Sequence, residues 1–464
     1  MTQEHEPVVV MVPTGSLGAG VRADEVARGI ALGAQVIAAD AGSTDSGAAY
    51  LATGQPKHNP GAIKRDLSIM IEAAWASRIP ILIGTCGQAG GDGNLESVRA
   101  AVVEIVREMG IAPRIALLRS ELSRDQVRQA NDAGRIRPLA PLGALDDATI
   151  DSCEHIVAAL GPEPFIDALQ AGADIVLAGR TTDTAVIAAF PLMHGAGAGA
   201  SWHAGKTAEC GAVCTVRDEP GSGVLLRIGK DSFEIEPLNA INRATVHSIS
   251  AHMLYENSDP FKLTEPGGVL DVSAADYVQL DDRTVRVTGS VWEPHPYTLK
   301  LEGAATRGYQ TIMLVGIQDP VVLSDLDLFE RRMHAALMGR VHDTIGAAAG
   351  DFNISLRLYG LNAVSGASVA GREPPAEVGV LFVATAESQD MATQIAKACN
   401  PYFFHMPMPA HREMPSYGFP FSPSYIPRGA VYEFVLNHVV EVDDPLDLVR
   451  IEWLDPDTWQ EAAR

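Results

Sequence analysis

Short apolar runs at residues 8–12, 36–39, 79–83, 115–118 and 174–178 each stop abruptly in a loop rich in Gly, Ser, Thr or Asp, and stretches with helical spacing separate them. No other feature restricts the fold of the chain as strongly. Apolar runs without polar alternation are strands buried on both faces. Helical spacing at 24–32, 63–77, 95–109, 123–133 and 163–171 makes the pattern one of β-α units with right-handed connections. The expected fold class is therefore α/β, with a largely parallel β-α core. Parallel strands present their carboxyl ends on one edge, so the polar loops should converge on a crevice there.

The loop after the second run, within IAADAGSTDSG at 37–47, carries the densest polar chemistry. Asp40, Ser43, Asp45 and Ser46 should stand at the mouth of the crevice, the aspartates as proton carriers and the serines as substrate contacts. The alternative is that Asp40 and Asp45 cap the next helix. The third loop reads GTCGQAGGDGN at 84–94 and leads into a helix. Its backbone amides, with a positive helix end behind them, suit an anion, which makes Gly84, Cys86, Gly90, Gly91 and Asn94 candidate substrate contacts. It is neither GxGxxG nor GxxxxGK[ST], so it specifies no nucleotide cofactor. Gly15, Gly18 and Gly20 in the first loop suggest the same more weakly.

Arg180 directly follows the fifth run, with Asp183 at the start of the next helix. A guanidinium at a strand end can take a carboxylate in a bidentate manner, or it can brace loops through Asp183 or Asp45. Further on, helical spacing places His203, Lys206 and Cys210 or Glu209 on one face. If that face is buried, Lys206 has a depressed pKa and acts as a base or fixes a carbonyl, while Glu209 moves protons; if exposed, it is a solvated stripe.

GSTDSG at 42–47, Lys57 with KRDL at 64–67, the GTCGQAGGDGN loop, ADIVLAGRTTDTA at 173–185 and HAGKTAECGA at 203–212 together resemble the acyclic terpene utilisation (AtuA-like) family. The resemblance implies an α/β core followed by a smaller ferredoxin-like domain. It also implies a place in bacterial catabolism of branched or unusual carboxylic acids handled as coenzyme A thioesters. It narrows the substrate class more than the reaction.

A chain of 464 residues exceeds what one core normally supports. The core, with a mixed α+β extension rich in short strands from about 221, is expected to occupy 1–345. A Gly/Ala linker at 345–350 then leads to the ferredoxin-like domain at 351–464, assembled from strands at 353–359, 377–385 and 430–442 and a helix at 388–399. Within it, 400–428 is dense in Pro, Phe, Tyr and Met, with His405 and His411, and should cover an active site or a subunit interface. The net charge of −23 opposes general affinity for nucleic acid or anionic membrane. The five cysteines lack CxxC spacing, which fits a reduced cytoplasmic setting. Cys210 and Cys214, one helical turn apart near His203, suit packed core better than zinc, so no metal is expected. No signal peptide is read at the amino terminus, and no apolar run is long enough to span a bilayer.

Elimination or hydration beside a carbonyl needs a base, donors for the developing enolate and an acid for the departing hydroxyl. Asp40, Asp45, Lys206 and Glu209 supply the catalytic groups, while Ser43, Ser46, the glycine loop, Arg180 and Asp183 supply the binding ones. The resulting expectation is a hydratase or lyase acting on a branched carboxylic acid or its thioester, with coenzyme A entering as part of the substrate and no separate cofactor specified. A hydrolase using Ser43 or Ser46 lacks the G-x-S-x-G elbow. A non-catalytic binding or scaffold subunit is the other alternative, and a homo-oligomer is expected.

Overall fold

A computed structural model describes residues 6–217, 221–366, 373–409 and 417–455. The chain divides into two compact units, Met1–Ala305 with Phe434–Arg464, and Thr306–Glu433.

In the first unit, strands Val8–Val12, Val36–Asp40, Ile81–Gly84, Ile175–Ala178 and Ile115–Arg119 lie side by side in that order, all parallel. Four antiparallel strands extend the sheet beyond Val8–Val12: Val224–Ile228, Ser232–Pro237, Val285–Thr288 and Asp276–Gln279. Arg450–Leu454 closes the other edge, antiparallel to Ile115–Arg119. The fold is thus of mixed α/β class. The central strands are apolar throughout because both faces are covered. Val10 and Val12 pack into one core with Val36, Ala38 and Leu82, while Met11 packs into the opposite one with Ile37, Ala39 and Ile83. A twenty-residue strand, Thr298–Ile317, runs from the first unit into the second. Its residues 300–304 pair antiparallel with His155–Ala159, a strand outside the large sheet.

Buried carboxylates fix the loops at the carboxyl edge. Asp66, on the helix Pro60–Ser77, accepts from the amides of Gly18, Gly20 and Val21 at 3.0, 3.0 and 2.8 Å. Glu25 does the same for the segment after residue 221, accepting from Ser222 Oγ at 2.9 Å, the Gly223 amide at 3.1 Å and Asn239 Nδ2 at 3.2 Å. Charge-assisted bonds of this kind hold an irregular backbone more firmly than neutral ones.

In the second unit, 309–317 and Phe352–Tyr359 both pair antiparallel with Val378–Ala386. Helices Leu326–Thr344 and Gln389–Cys399 bury Phe329, Met333, Leu337, Ile395 and Ala396 against Ile354, Val380, Phe382 and Ala384. Gly346–Ala349, expected as a linker, is a turn of 3-10 helix within this unit. From the Pro- and aromatic-rich stretch, Phe403, Met406, Met408 and Tyr417 join the same core, while 410–416, with His411, lie outside the described residues.

Candidate functional site

Two of the five polar strand tips, 43–45 and 180–184, share a hollow, and the rest of its lining comes from elsewhere in the chain. A cavity of about 450 Å³ in the first unit is lined by Ser43, Thr44 and Asp45, by Arg180, Thr182, Asp183 and Thr184, by Lys206 and Glu209, by residues 256–259 and 262–266 and by Thr298 and Lys300. Each contribution has a local cause. Ser43 caps the 3-10 turn Thr44–Ser46, its Oγ accepting from the Asp45 amide at 3.2 Å and donating to Asp45 Oδ2 at 2.7 Å. Thr182 caps the helix Asp183–Met193 by accepting from the Ala185 amide at 3.2 Å, which sets Asp183 and Thr184 in its first turn. Lys206 sits in the last turn of Ala198–Ala208, with Glu209 just beyond.

Arg180 is the most heavily engaged side chain. Its Nε donates to Glu302 Oε2 at 2.8 Å, and its Nη1 donates to Asp183 Oδ1 at 3.0 Å, the Thr181 carbonyl at 2.6 Å and Thr85 Oγ1 at 3.2 Å. Thr44 accepts from Nη2 at 3.4 Å and donates to Glu302 Oε1 at 2.9 Å. Burial alone would lower the Arg180 pKa, but Glu302 and Asp183 outweigh it and hold the guanidinium charged. Burial likewise pushes Glu302 upward, yet Arg180 and Lys300 win and leave it at about 2. The Arg180 donors are directed at protein acceptors, the geometry of a brace.

Lys206 and Glu209 form a buried ion pair, and Thr184 Oγ1 donates to the second Glu209 oxygen at 3.1 Å. The Lys206 pKa is raised, not depressed, because Glu209, Glu265 and Asp183 outweigh the effect of burial. A lysine so surrounded stays charged and donates, the opposite of the depressed pKa expected of a buried face. Burial raises Glu209 to about 8 against the pull of Lys206, with Asp183 and Glu265 adding like charge. Burial also raises Glu265 to about 7, although the hydroxyls of Thr182 and Thr184 pull it down. Glu265 Oε2 is buried without a hydrogen-bond partner. Asp183 is raised as well, by burial first and against Arg180.

The remaining candidates stand behind or beside this lining. Asp40 is 3% exposed at the end of its strand and accepts from the Gly42 amide at 3.1 Å. Burial and the Asp183 charge raise its pKa well above the carboxylate range. Ser46 points elsewhere, accepting from Lys57 Nζ at 2.7 Å and Gln88 Nε2 at 3.1 Å. The glycine loop does not line the cavity, and several of its amides are spent within the protein. Gly90 N donates to the Cys86 carbonyl at 3.2 Å, Gly91 N to Asn94 Oδ1 at 3.2 Å and Asp92 N to Glu121 Oε2 at 2.6 Å. Asn94 uses its amide nitrogen on the carbonyls of Tyr50, Gln55 and Gly87. Gly84 abuts Thr181 and Val186, and Cys86 is a fully buried thiol whose pKa burial raises. Gly90, at φ +69°, carries the loop past the backbone of Arg180, where a Cβ would lie 2.1 Å from the Arg180 nitrogen. These residues position the strand ends and leave the lining to others.

Glu302, Glu265 and Lys300 were not legible as site residues. They lie on antiparallel strands far along the chain, where alternation with Leu299, Leu301 and Leu263 reads as an ordinary half-solvated face. His203 is fully buried, its Nδ1 2.8 Å from Ser290 Oγ, and burial lowers it to about 3. It belongs to the packing. Among the described residues no group of three or more His, Cys, Asp or Glu side chains is arranged to hold a metal ion. A second cavity, of about 560 Å³, lies at the amino-terminal edge of the sheet; Ile71, Trp75, Ile79, Phe190 and Met193 make it mostly apolar, and it holds none of the candidate residues.

The family model of the acyclic terpene utilisation family protein AtuA matches residues 36–216 and 238–435, which include the whole candidate constellation. The chain belongs to that family. No curated protein and no solved structure matches it. Both matched stretches contribute to the cavity of this AtuA-family chain, the first with 43–45, 180, 182–184, 206 and 209 and the second with 256–259, 262–266, 298 and 300. Among the described residues no helix is long and apolar enough to cross a membrane.

Proposed function

We propose that this protein is a catabolic enzyme of acyclic terpene utilisation, and that it works as a hydratase or lyase on a branched acyl group carried as a carboxylic acid or coenzyme A thioester. The observation that carries the reading is the pairing of Glu209 with Lys206 on the same cavity as Glu265, two buried carboxyls raised to about 8 and about 7. Ionised Glu209 removes the proton α to the carbonyl. The Lys206 ammonium then donates to the oxygen on which charge develops, and protonated Glu265 delivers a proton to the departing hydroxyl. Arg180, Asp183 and Glu302 hold the wall rigid beneath them. Asp40 and Asp45 take no assigned step in this scheme, and Ser43, bonded to Asp45, serves the loop instead of acting as a nucleophile.

The test is turnover of a panel of branched acyl thioesters, followed by mass spectrometry. Glu209→Gln should lower kcat by about 10²- to 10⁴-fold, the usual worth of a positioned base. No turnover across the panel, with unchanged ligand binding by Glu209→Gln, would point to a binding or scaffold subunit instead. The same proposal makes the chain a cytoplasmic homo-oligomer, for which exposed Tyr359 and Phe421 in the second unit offer contact surface; sedimentation velocity reads the assembly state.

A further inference from the structure

Among the described residues, four cations border the cavity, and each already has a carboxylate. Arg180 lies on Glu302 and Asp183, Lys206 on Glu209, Lys262 Nζ is 3.1 Å from Asp271 Oδ2 and Lys300 Nζ is 2.8 Å from Glu302 Oε1. Facing them in the lining stand Asp45, Asp183, Glu209, Glu256, Asp259 and Glu265. A ligand carboxylate entering here meets an excess of like charge, and every cation it could approach is already shared with a protein carboxylate, the two least exposed, Arg180 and Lys206, most tightly. A buried charge left without its partner is costly. A neutral carbonyl meets neither penalty. The cavity also offers an acceptor that lacks a donor, the buried Glu265 Oε2. Buried polar atoms are normally satisfied, so this oxygen is suited to a donor brought by the ligand.

We infer that the acyl end entering this cavity is uncharged and carries a hydroxyl: a hydroxyacyl thioester or ester, with the free hydroxy acid excluded. The inference rests on reading this cavity as the substrate site, and it chooses between the two forms, acid and thioester, that the proposed function admits. Ionised Glu265 would accept from the hydroxyl in the binding complex, the protonated form being the one that donates to the same oxygen in turnover, and Lys206 would donate to the carbonyl oxygen.

The experiment is titration calorimetry of the full chain at pH 8.5, where Glu265 is ionised, with three probes built on one branched 3-hydroxyacyl group: its N-acetylcysteamine thioester, its methyl ester and its free acid. The two neutral probes should bind at least about tenfold more tightly than the acid, the discrimination expected of one unfavourable charge contact at partial solvation. Glu265→Gln should narrow that gap severalfold by removing one negative charge. Equal or tighter binding of the free acid overturns the inference, as does an absence of binding by all three probes. Binding is read separately from turnover, so loss of the hydratase or lyase reading, shown by unchanged kcat in Glu209→Gln, is distinguishable from loss of the charge selection.

Discussion

Glu302 carries more consequence than its place in a late strand suggests, because it pairs with Arg180, a cation only 7% exposed in the cavity wall. Asp183 stays beside Arg180 when Glu302 is neutralised, so Glu302→Gln should destabilise the fold by about 1–3 kcal/mol in denaturant titration, the cost of weakening buried charged hydrogen bonds. The pH dependence follows from the direction of its shift. Its folded pKa of about 2 lies below an unfolded value of about 4.3, so the stabilisation is complete above the unfolded value and is lost as pH falls through about 2. Glu302→Gln should flatten the stability curve in that acid window, and an unchanged slope would remove Glu302 from the account. The catalytic pair runs the other way. If Glu209 must be ionised and Glu265 protonated, the productive form is the minor one of the two singly ionised states, and kcat/KM should rise up to about pH 7 and fall above about 8, giving a bell with its maximum between those values. A profile that rises without a descending limb would dismiss Glu265 as the acid.

At the scale of elements, the strand ends work because side chains from helices and neighbouring loops restrain them. The loop at 13–21 depends on Asp66, so Asp66→Ala should cost roughly 3 kcal/mol, the net worth of charged hydrogen bonds lost together. Hydrogen exchange at the amides of Gly18, Gly20 and Val21 should quicken more than elsewhere, and uniform exchange would count against a local role. The sequence shows why some of this could be foreseen. Continuous apolar runs such as 36–40 identify strands covered on both faces without knowledge of their neighbours, and Asp40, Arg180 and Asp183 follow from where such strands stop. Glu302 and Lys300 escape that logic. They reach the cavity because Lys300 pairs with Ala159 and Glu302 with Val157, contacts across more than a hundred residues that leave no local period. Asn94 escaped in the opposite sense: a polar residue after a glycine loop looks like a ligand contact, yet its amide is consumed by Tyr50, Gln55 and Gly87.

For the whole molecule, the decisive fact is that the first compact unit is not contiguous in sequence. It breaks off at Ala305 and resumes at Phe434, and the returning segment supplies an edge strand as well as core. Glu452 Oε2 accepts from Arg119 Nε at 2.7 Å, the Arg114 guanidinium lies 4.8 Å from the Trp453 ring centre, and Leu436 and Val440 are buried in the same core as Val10 and Ala116. A chain ending at 433 should therefore lose cooperative unfolding and expose Ile115–Arg119 as an unpaired edge prone to association. Removing 128 residues from the middle should do less harm. The strands Thr298–Ile317 and Tyr425–Glu441 are neighbours, and a Cβ on Gly303 would lie 2.9 Å from Leu436 Cβ, so 305 and 434 can be joined by a short turn. Since every residue of the candidate lining belongs to the first unit, a chain with 306–433 replaced by such a turn should unfold in one transition and bind the neutral thioester probe as the full chain does. Retained folding with lost binding would mean that the second unit takes part in ligand capture, and failure of the joined chain to fold would show that the first unit depends on the second for its stability.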